Sequence, residues 1–300
     1  MSALPFFVKI DGVKERLDQF IERKKLFRVL LENGSVLFSP EGAFKDGNIA
    51  ESAKMVLEMF QPRSVLASVT TEKGSASTRA NFDNDSSFFV IRQHIAGAAK
   101  WLICDDATNE WCDFLSFENT GVGPKITWLH AKVKRKKDGS GALKSMGSGK
   151  RGSSSASGLQ EVVGQAVKNL GRLRLRRNSD GVTGAAGRSG KWLENYQWPD
   201  DATGTVAGFK RLCTSPAGGV PTTTDIDAML KDFDAAANNS NTVYEVALVV
   251  PNYRRSTLQN VFKNLGTSRS SETAPQLFWL LSGFMSSCIE VGARPIIYCL

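Results

Sequence analysis

Three strand-like segments in the middle of the chain constrain its fold most strongly. The first, Trp101–Cys104, is wholly apolar and runs into two aspartates. The second and third, Glu110–Phe117 and Ile126–Val133, flank the turn residues Asn119–Pro124. Side chains alternate between the two faces of a strand, so each segment can present one face to a core. We therefore predict three adjacent strands, with the last two joined as a hairpin.

Helices and strands interleave through the last third of the chain. Apolar periodicity and turn residues predict the helices Leu159–Leu170, Ser256–Leu265 and Ala274–Val291 and the strands Val243–Val250 and Pro295–Cys299. Interleaving of this kind indicates an α/β (α+β) chain with a mixed central sheet flanked by helices.

The first hundred residues contain shorter patterns. The predicted elements are the strand Phe6–Ile10, a helix Val13–Lys25 capped by Asp11, a hairpin of Leu26–Leu31 and Ser35–Ser39, the helix Ile49–Phe60 and the strand Ser64–Thr71. The segment Ser87–Gln93 is consistent with either a strand or the end of a helix.

Changes of composition divide the chain into two parts. We predict an N-terminal α+β region of unknown role in residues 1–95 and a core domain in residues 96–300. Within the core, 13 of the 21 residues in the loop 138–158 are glycine or serine. A polar, irregular insertion covers about residues 171–241. Its glycine- and proline-rich part, 178–222, is either a seam between domains or part of an insertion within one domain.

Cysteine and histidine usage limits the compartment and the metals. The five cysteines are scattered without a CxxC pair, which is typical of reduced thiols in a cytoplasmic protein. The histidines of the chain are His94 and His130, so a histidine-rich metal centre is excluded. Any metal would be held mainly by carboxylates, which favours Mg²⁺ or Mn²⁺. The longest apolar stretch, Leu277–Ile289, has 13 residues and is too short to span a bilayer, so no membrane partner is expected.

Positive charge is concentrated in one segment of the chain. The whole chain has a net charge of +8, whereas residues 125–177 contain 14 basic and two acidic residues. A strongly basic segment on a mildly acidic body favours binding to a phosphate backbone. A solvated flexible loop is the alternative interpretation, and the two are compatible because a mobile loop can hold a polyanion.

The predicted hairpin brings charged residues together. Alternation places Asp113 on one face of its strand and His130 with Lys132 on one face of the next. Glu110 lies at the mouth of the same strand as Asp113. A carboxylate and an ammonium in mid-strand are costly to bury unless they are paired or bound to a metal. Both an Asp113–Lys132 ion pair that supports the sheet and a catalytic site fit this pattern.

The same segments resemble the PD-(D/E)XK nuclease superfamily. The resemblance rests on the aspartates after Cys104 and on the strings EWCDFL from Glu110, ITWLHAK from Ile126 and EVVGQAVK from Glu161. More narrowly, these are similar to restriction-type nuclease domains joined to DEAD/DEAH helicases in bacterial defence systems. Those domains carry an acidic residue, an Asp-Phe strand, a His-x-Lys strand and a helix bearing glutamine. The chain departs from the wider superfamily at His130, where a carboxylate is usual, and at Cys112, where a proline is usual.

The resemblance implies a restriction-endonuclease-like fold and a role for each residue of the site. Asp113 would be a metal ligand, and Glu110 and His130 would be further ligands or would position water. The carbonyl of Ala131 would also help to bind the metal. Lys132 would orient or deprotonate the attacking water and balance charge.

Two further features border this predicted site. Gln165 lies one helical turn from Glu161, so its amide either closes the site or is exposed on the helix surface. Asp105 and Asp106 are expected to be turn residues, although one of them could reach the site.

Three functions follow from these observations. The first is a Mg²⁺- or Mn²⁺-dependent endonuclease, a hydrolase of phosphodiester bonds in DNA that acts in defence or restriction. The alternatives are a catalytically decayed nucleic-acid-binding module and a structural subunit of a defence or repair complex. No Walker A motif is present, so a helicase or ATPase motor would come from a partner protein. We also expect another defence-system protein or a second copy of the chain as a protein partner.

The basic residues beside the predicted site are expected to contact nucleic acid. They follow the His-x-Lys strand, lie in the Gly/Ser-rich loop and follow the glutamine helix: Lys134, Arg135, Lys136, Lys137, Lys150, Arg151, Arg172 and Arg174.

Overall fold

The computed structural model describes most of the chain beyond residue 47. The described residues are 48–74, 81–106, 110–133, 156–173, 185–198, 208–216, 218–265, 267, 269–271 and 273–300, together with short elements before residue 46. The backbone of two short strands, β10 (Lys136–Lys137) and β11 (Leu143–Lys144), is also described. Lys134, Arg135, Lys150, Arg151 and Arg174 lie outside the described residues, and so do the side chains of Lys136 and Lys137.

A six-stranded sheet forms the centre of the fold. Its strands, in spatial order, are β6 (Phe60–Pro62), β13 (Ala293–Cys299), β12 (Val243–Val249), β9 (Gly123–Ala131), β8 (Phe114–Thr120) and β7 (Trp101–Cys104). The pairings among β6, β13, β12 and β9 are parallel, and those of β8 with β9 and with β7 are antiparallel. The sheet is therefore mixed, which confirms the predicted α/β class.

The three strands predicted to be adjacent form a meander of β7, β8 and β9, and β8 begins later than predicted. β8 and β9 form a hairpin whose register pairs Thr120 with Gly123, and β7 pairs with the other edge of β8. β8 begins at Phe114, four residues later than predicted. The reason is a side-chain contact: the carboxylate of Asp113 accepts the N–H of Ala131 at 2.6 Å, where a continued strand would offer a backbone carbonyl.

Helices cover one face of the sheet much more fully than the other. The helices are α1 (Ile49–Glu58), α2 (Ser87–Val90), α3 (Ser157–Lys168), α4 (Ala185–Trp192), α5 (Thr223–Ala237), α6 (Arg255–Phe262) and α7 (Thr273–Glu290). Residues of α1, α3, α4, α5, α6 and α7 pack into one core with the sheet, whereas α2 and aromatic residues from the insertion pack into the core on the other face. Alternation along the strands supplies both cores: Trp128 faces the first and Leu129 the second.

The predicted C-terminal elements are confirmed, and the predicted irregular region requires correction. α3, α6, α7, β12 and β13 lie where the sequence places them, within a few residues. The polar insertion, however, contains α4 and α5. The signals for α5 are a capping box between Thr222 and Asp225 and the buried residues Ile226, Met229, Leu230 and Phe233 at helical spacing.

Two predictions in the N-terminal part are wrong. Residues Val13–Arg16 form β2, which pairs antiparallel with β1 (Phe7–Ile10), rather than the start of a helix. The register of this pair joins Ile10 with Val13, and the sequence between them, Asp-Gly, is one that β-hairpins favour. The predicted cap at Asp11 lies outside the described residues. Ser64–Ser68 is a 3₁₀ helix rather than a strand, because the buried Leu66 and Val69 are three residues apart.

The structure also bears on the predicted N-terminal hairpin and on the ambiguous segment Ser87–Gln93. The hairpin is confirmed as β3 (Val29–Leu30) paired with β4 (Val36–Ser39), to which β5 (Gly42–Lys45) adds a third strand. The ambiguous segment is helical, as α2 followed by a π-helical turn over Ile91–Ile95.

The boundary predicted at residue 95 does not separate the described residues 49–95 from the core. β6 pairs with β13 inside the central sheet, and α1 packs in the same core as α3 and α7. All five cysteines are free thiols, and no helix among the described residues is both long and apolar enough to cross a bilayer.

A buried ion pair joins the insertion to the sheet. Arg188 of α4 contacts both carboxylate oxygens of Asp105 at 2.7 and 2.8 Å, and both residues are buried. The same carboxylate accepts the indole N–H of Trp192 at 3.0 Å and the backbone N–H of Trp111 at 2.9 Å. Asp105 is therefore a structural residue that fixes α4 against the end of β7.

We expect Arg188→Leu to lower the free energy of unfolding by about 3–5 kcal/mol, because it leaves the buried Asp105 carboxylate without its cation. Chemical denaturation of the full chain measures the loss. The double variant Asp105→Asn/Arg188→Leu should be at least about 1 kcal/mol more stable than Arg188→Leu, since it removes the unpaired charge. An unchanged unfolding midpoint in the single variant would contradict the structural role.

Candidate metal centre

The predicted site lies at one end of the central sheet, where three strand ends meet. β7 runs into Asp105 and Asp106, β8 begins directly after Asp113, and β9 ends before Lys132. Because β8 is antiparallel to both neighbours, its first residue lies beside their last residues. The meander therefore gathers side chains that are far apart in sequence.

Three carboxylates converge at this end of the sheet. One oxygen from each of Asp106, Glu110 and Asp113 lies within 4.8 Å of the others, and we call these residues the carboxylate triad. Asp113 is buried, and the other two are partly exposed. Three carboxylates at this spacing could hold a metal ion, and oxygen donors are those that hard divalent cations prefer.

Asp113 is the buried member of the triad. Its backbone N–H donates to the carbonyl of Leu129 at 3.0 Å, and its Oδ2 accepts the N–H of Ala131. Burial, followed by the negative charge of Asp106, raises the pKa of Asp113 well above its ordinary value, and the bond from Ala131 opposes this only in part. A carboxylate held in this way gains from any cation placed beside it.

Asp106 is the aspartate after β7 that reaches the site. Lys73 Nζ lies 2.8 Å from both of its oxygens, and the Tyr196 hydroxyl donates to Oδ2 at 2.7 Å. The sequence signal was the pair of adjacent aspartates at the strand end. Consecutive side chains point to opposite sides, so one could contact Arg188 while the other joins the triad.

Lys132 lies beside the triad at the end of β9. Its ammonium is 2.6 Å from Glu161 of α3 and 3.7 Å from Glu72. Burial alone would lower the pKa of Lys132, but the hydrogen bond that it donates to Glu161 and the charges of Glu72, Glu161 and Asp113 outweigh burial and raise its pKa. Lys132 is therefore a cation at neutral pH, paired with residues other than the Asp113 partner that the sequence allowed.

One face of α3 borders the site, as the spacing of Glu161 and Gln165 indicates. Glu161 contacts Lys132, and Asn169 at the end of the helix donates to the backbone carbonyl of Glu110 at 3.3 Å. Gln165 lies on the same face, four residues from each of them, and is partly exposed. The helix thus places an amide between two residues that contact the site.

His130 is placed differently from the sequence expectation. It does not belong to the carboxylate triad, and its Nε2 is buried without a hydrogen-bond partner among the described residues. Burial lowers the pKa of His130 to about 4, so the imidazole is neutral at physiological pH. Its role as a metal ligand stays a prediction.

Ala131 contacts the site through its backbone. Its N–H binds Asp113, and its carbonyl points to the same side of β9 as that of Leu129, which accepts the Asp113 N–H. The carbonyl therefore faces the triad side of the strand, which is consistent with the predicted contact to a metal.

Two residues that the sequence did not assign to the site come from the N-terminal part. Glu72 and Lys73 reach Lys132 and Asp106 from a segment about 30 to 60 residues away along the chain. No local pattern marks them, because their roles arise from a non-local contact.

Among the residues expected to contact nucleic acid, Arg172 is the one whose side chain is described. It is exposed at the end of a 3₁₀ turn after α3, and its guanidinium lies 5.9 Å from the ring centre of Trp111, next to Glu110. Arg172 therefore lies close to the residue that follows Glu110 of the triad, and its contact with nucleic acid stays a prediction.

Comparison with known proteins gives no match to a protein-family model, to a curated protein or to a solved structure. The functional conclusion accordingly depends on the geometry of the carboxylate triad and Lys132.

We expect Asp113→Asn to stabilise the metal-free protein at pH 7–8 by about 1–3 kcal/mol, because it removes a buried charge and keeps an acceptor for Ala131. The pKa of Asp113 is raised on folding, so the wild type loses stability as the pH rises above about 4, while the variant does not. Thermal unfolding at several pH values checks this.

The same two proteins test the metal site. Added Mn²⁺ should raise the melting temperature of the wild type alone; equal shifts in both proteins would contradict the metal site.

A second pH dependence follows from His130. Its folded-state pKa of about 4 is below the ordinary 6.5, so the unfolded state takes up the proton first and stability is lost as the pH falls from about 6.5 towards 4. The full effect is about 3 kcal/mol. His130→Leu should flatten this part of the stability curve, measured by urea unfolding. Loss of Mn²⁺ binding by the folded variant would instead show that His130 is a metal ligand.

Proposed function

We propose that this protein is a metal-dependent nuclease that hydrolyses phosphodiester bonds in DNA. The observation that carries the proposal is the convergence of the carboxylate triad and Lys132 at one end of a mixed sheet. Asp113, Glu110 and Lys132 are residues to which the resemblance to PD-(D/E)XK nucleases assigns a role in the site. Asp106, expected to be a turn residue, joins them.

The donor set fits Mg²⁺ or Mn²⁺. Asp106, Glu110 and Asp113 would hold the ion, with the Ala131 carbonyl on the same side. Such an ion supplies Lewis acidity and lowers the pKa of a bound water. His130 stands where the superfamily usually has a carboxylate, and the triad supplies Asp106 and Glu110 beside Asp113.

Lys132 would act as a cation rather than as a base. Its raised pKa keeps the ammonium protonated, and Glu161 and Glu72 hold it in place at the end of β9. A fixed ammonium can orient the attacking water and balance the charge that develops on the phosphate. The amide of Gln165, on the same helix face as Glu161, is placed to contact the substrate or the water.

The substrate class follows from charge. Residues 125–177 carry 14 basic residues against two acidic ones, and Arg172 lies on the triad side. A basic segment flanking the site raises the local concentration of a polyanion and supplies binding that does not depend on its sequence. The choice of DNA, the role in defence and the helicase partner are proposed on the sequence resemblance.

Cleavage assays with the purified chain test the proposal. We expect nicking or cutting of plasmid DNA with Mg²⁺ or Mn²⁺ and none with EDTA. Lys132→Met should reduce cleavage by roughly 10²–10³-fold, because it removes a fixed cation from the reacting centre. Circular dichroism confirms that the variant is folded.

Lys125→Met is the matched control. Lys125 lies near the start of β9, whereas Lys132 directly follows its end. Lys125 pairs with Glu118 at 2.9 Å, and its side chain is nearly as exposed as that of Lys132. We expect it to cleave at the wild-type rate. Cleavage by Lys132→Met at that rate would refute the assignment. Binding of DNA without cleavage by the wild type would favour the decayed-nuclease alternative, and linear, single-stranded and RNA substrates identify the preferred form.

A further inference from the structure

A second lysine lies at the carboxylate triad, contributed by the N-terminal part of the chain. The Lys73 ammonium is 2.8 Å from each oxygen of Asp106 and 5.3 Å from the ring centre of Phe88, and its side chain is 23% exposed. Asp113 and Glu72 also act on it electrostatically. Lys73 is therefore an accessible cation placed directly on one of the three carboxylates that would hold a metal.

Hydrogen bonds fix the backbone just before Lys73. Thr71 forms a β-bridge with Ser86, and the carbonyl of Glu72 accepts both the N–H of Phe88 at 3.0 Å and the hydroxyl of Ser87 at 2.9 Å. Lys73 therefore projects towards the triad from a backbone that is held in place at the two preceding residues.

The turn that follows has a residue-specific requirement. Gly74 has a φ of +87°, and a Cβ added there would lie 2.3 Å from the carboxyl carbon of Asp83. A side chain at this position would therefore displace the segment from its support.

The charges at the triad show that Lys73 and a metal ion must compete. Both need the oxygens of Asp106, and Oδ2 already accepts a hydrogen bond from the Tyr196 hydroxyl. A monovalent ammonium and a divalent cation also repel each other at close range.

We propose that Lys73 is a second catalytic cation of this site. It neutralises Asp106 while the metal is absent, leaves that carboxylate when a divalent ion binds, and then contacts the substrate phosphate. The last step rests on the proposed nuclease function, whereas the competition with the metal does not.

Mn²⁺ binding to the full chain tests the competition directly. We expect Lys73→Met to bind Mn²⁺ about tenfold more tightly than the wild type, because a nearby positive charge and a competing partner of Asp106 are removed. Lys73→Arg keeps the charge and should bind like the wild type. Lys100→Met is the matched control, since Lys100 pairs with Asp232 at 2.7 Å, and should also be unchanged. Unchanged or weaker binding by folded Lys73→Met would overturn the proposal.

Cleavage at saturating Mn²⁺ tests the contact with phosphate. We expect Lys73→Met to lower kcat at least about tenfold although its metal site is full, and Lys73→Arg to restore part of the rate. A wild-type kcat in Lys73→Met would overturn this step. If the wild type cleaves no substrate, the nuclease function fails, while the Mn²⁺ affinities still decide whether Lys73 competes with the metal.

Discussion

The structure around the candidate site depends on the cost of placing carboxylates close together at the buried end of a sheet. Asp113 is buried beside Asp106 and Glu110, and burial together with the negative charge of Asp106 raises the pKa of Asp113. Each neighbouring element contributes to offsetting this cost. β9 supplies a backbone N–H, the segment before α2 supplies Lys73, and the insertion supplies Tyr196. The remaining deficit of positive charge is what a divalent cation would fill.

The balance of charge also sets an order of events. The described part of the site contains five carboxylates, from Glu72, Asp106, Glu110, Asp113 and Glu161, and three cations, from Lys73, Lys132 and Arg172. A site with this excess of negative charge repels phosphate until a cation is bound. Metal binding would therefore precede the productive approach of nucleic acid.

Local patterns in the sequence predicted the meander and the positions of Asp113 and Lys132, because strand alternation and a short turn depend only on neighbouring residues. These patterns gave wrong predictions where a residue bonds to a side chain or to a distant segment instead of to a neighbouring backbone group. β8 begins late because the Asp113 carboxylate takes the Ala131 N–H. The sequence indicated a turn residue at Asp106. Its partners, Lys73 and Tyr196, lie 33 and 90 residues away in the chain, so no local pattern reveals them. The sequence around α5 is polar and indicated an irregular segment, although Thr222 and Asp225 form a capping box at the start of the helix.

The parallel pairing of β9 with β12 has a consequence for how such a protein can diversify. Roughly 110 residues separate the end of β9 from the start of β12, and this crossover contains α3, α4, α5 and the Gly/Ser-rich stretch. Closing a connection of that length costs only about 0.6 kcal/mol more for each doubling, so further residues can be added there at little expense to stability. The triad is held by β7, β8 and β9, ahead of this crossover. Insertions between α3 and β12 could therefore change what the protein recognises while the reacting groups stay in place.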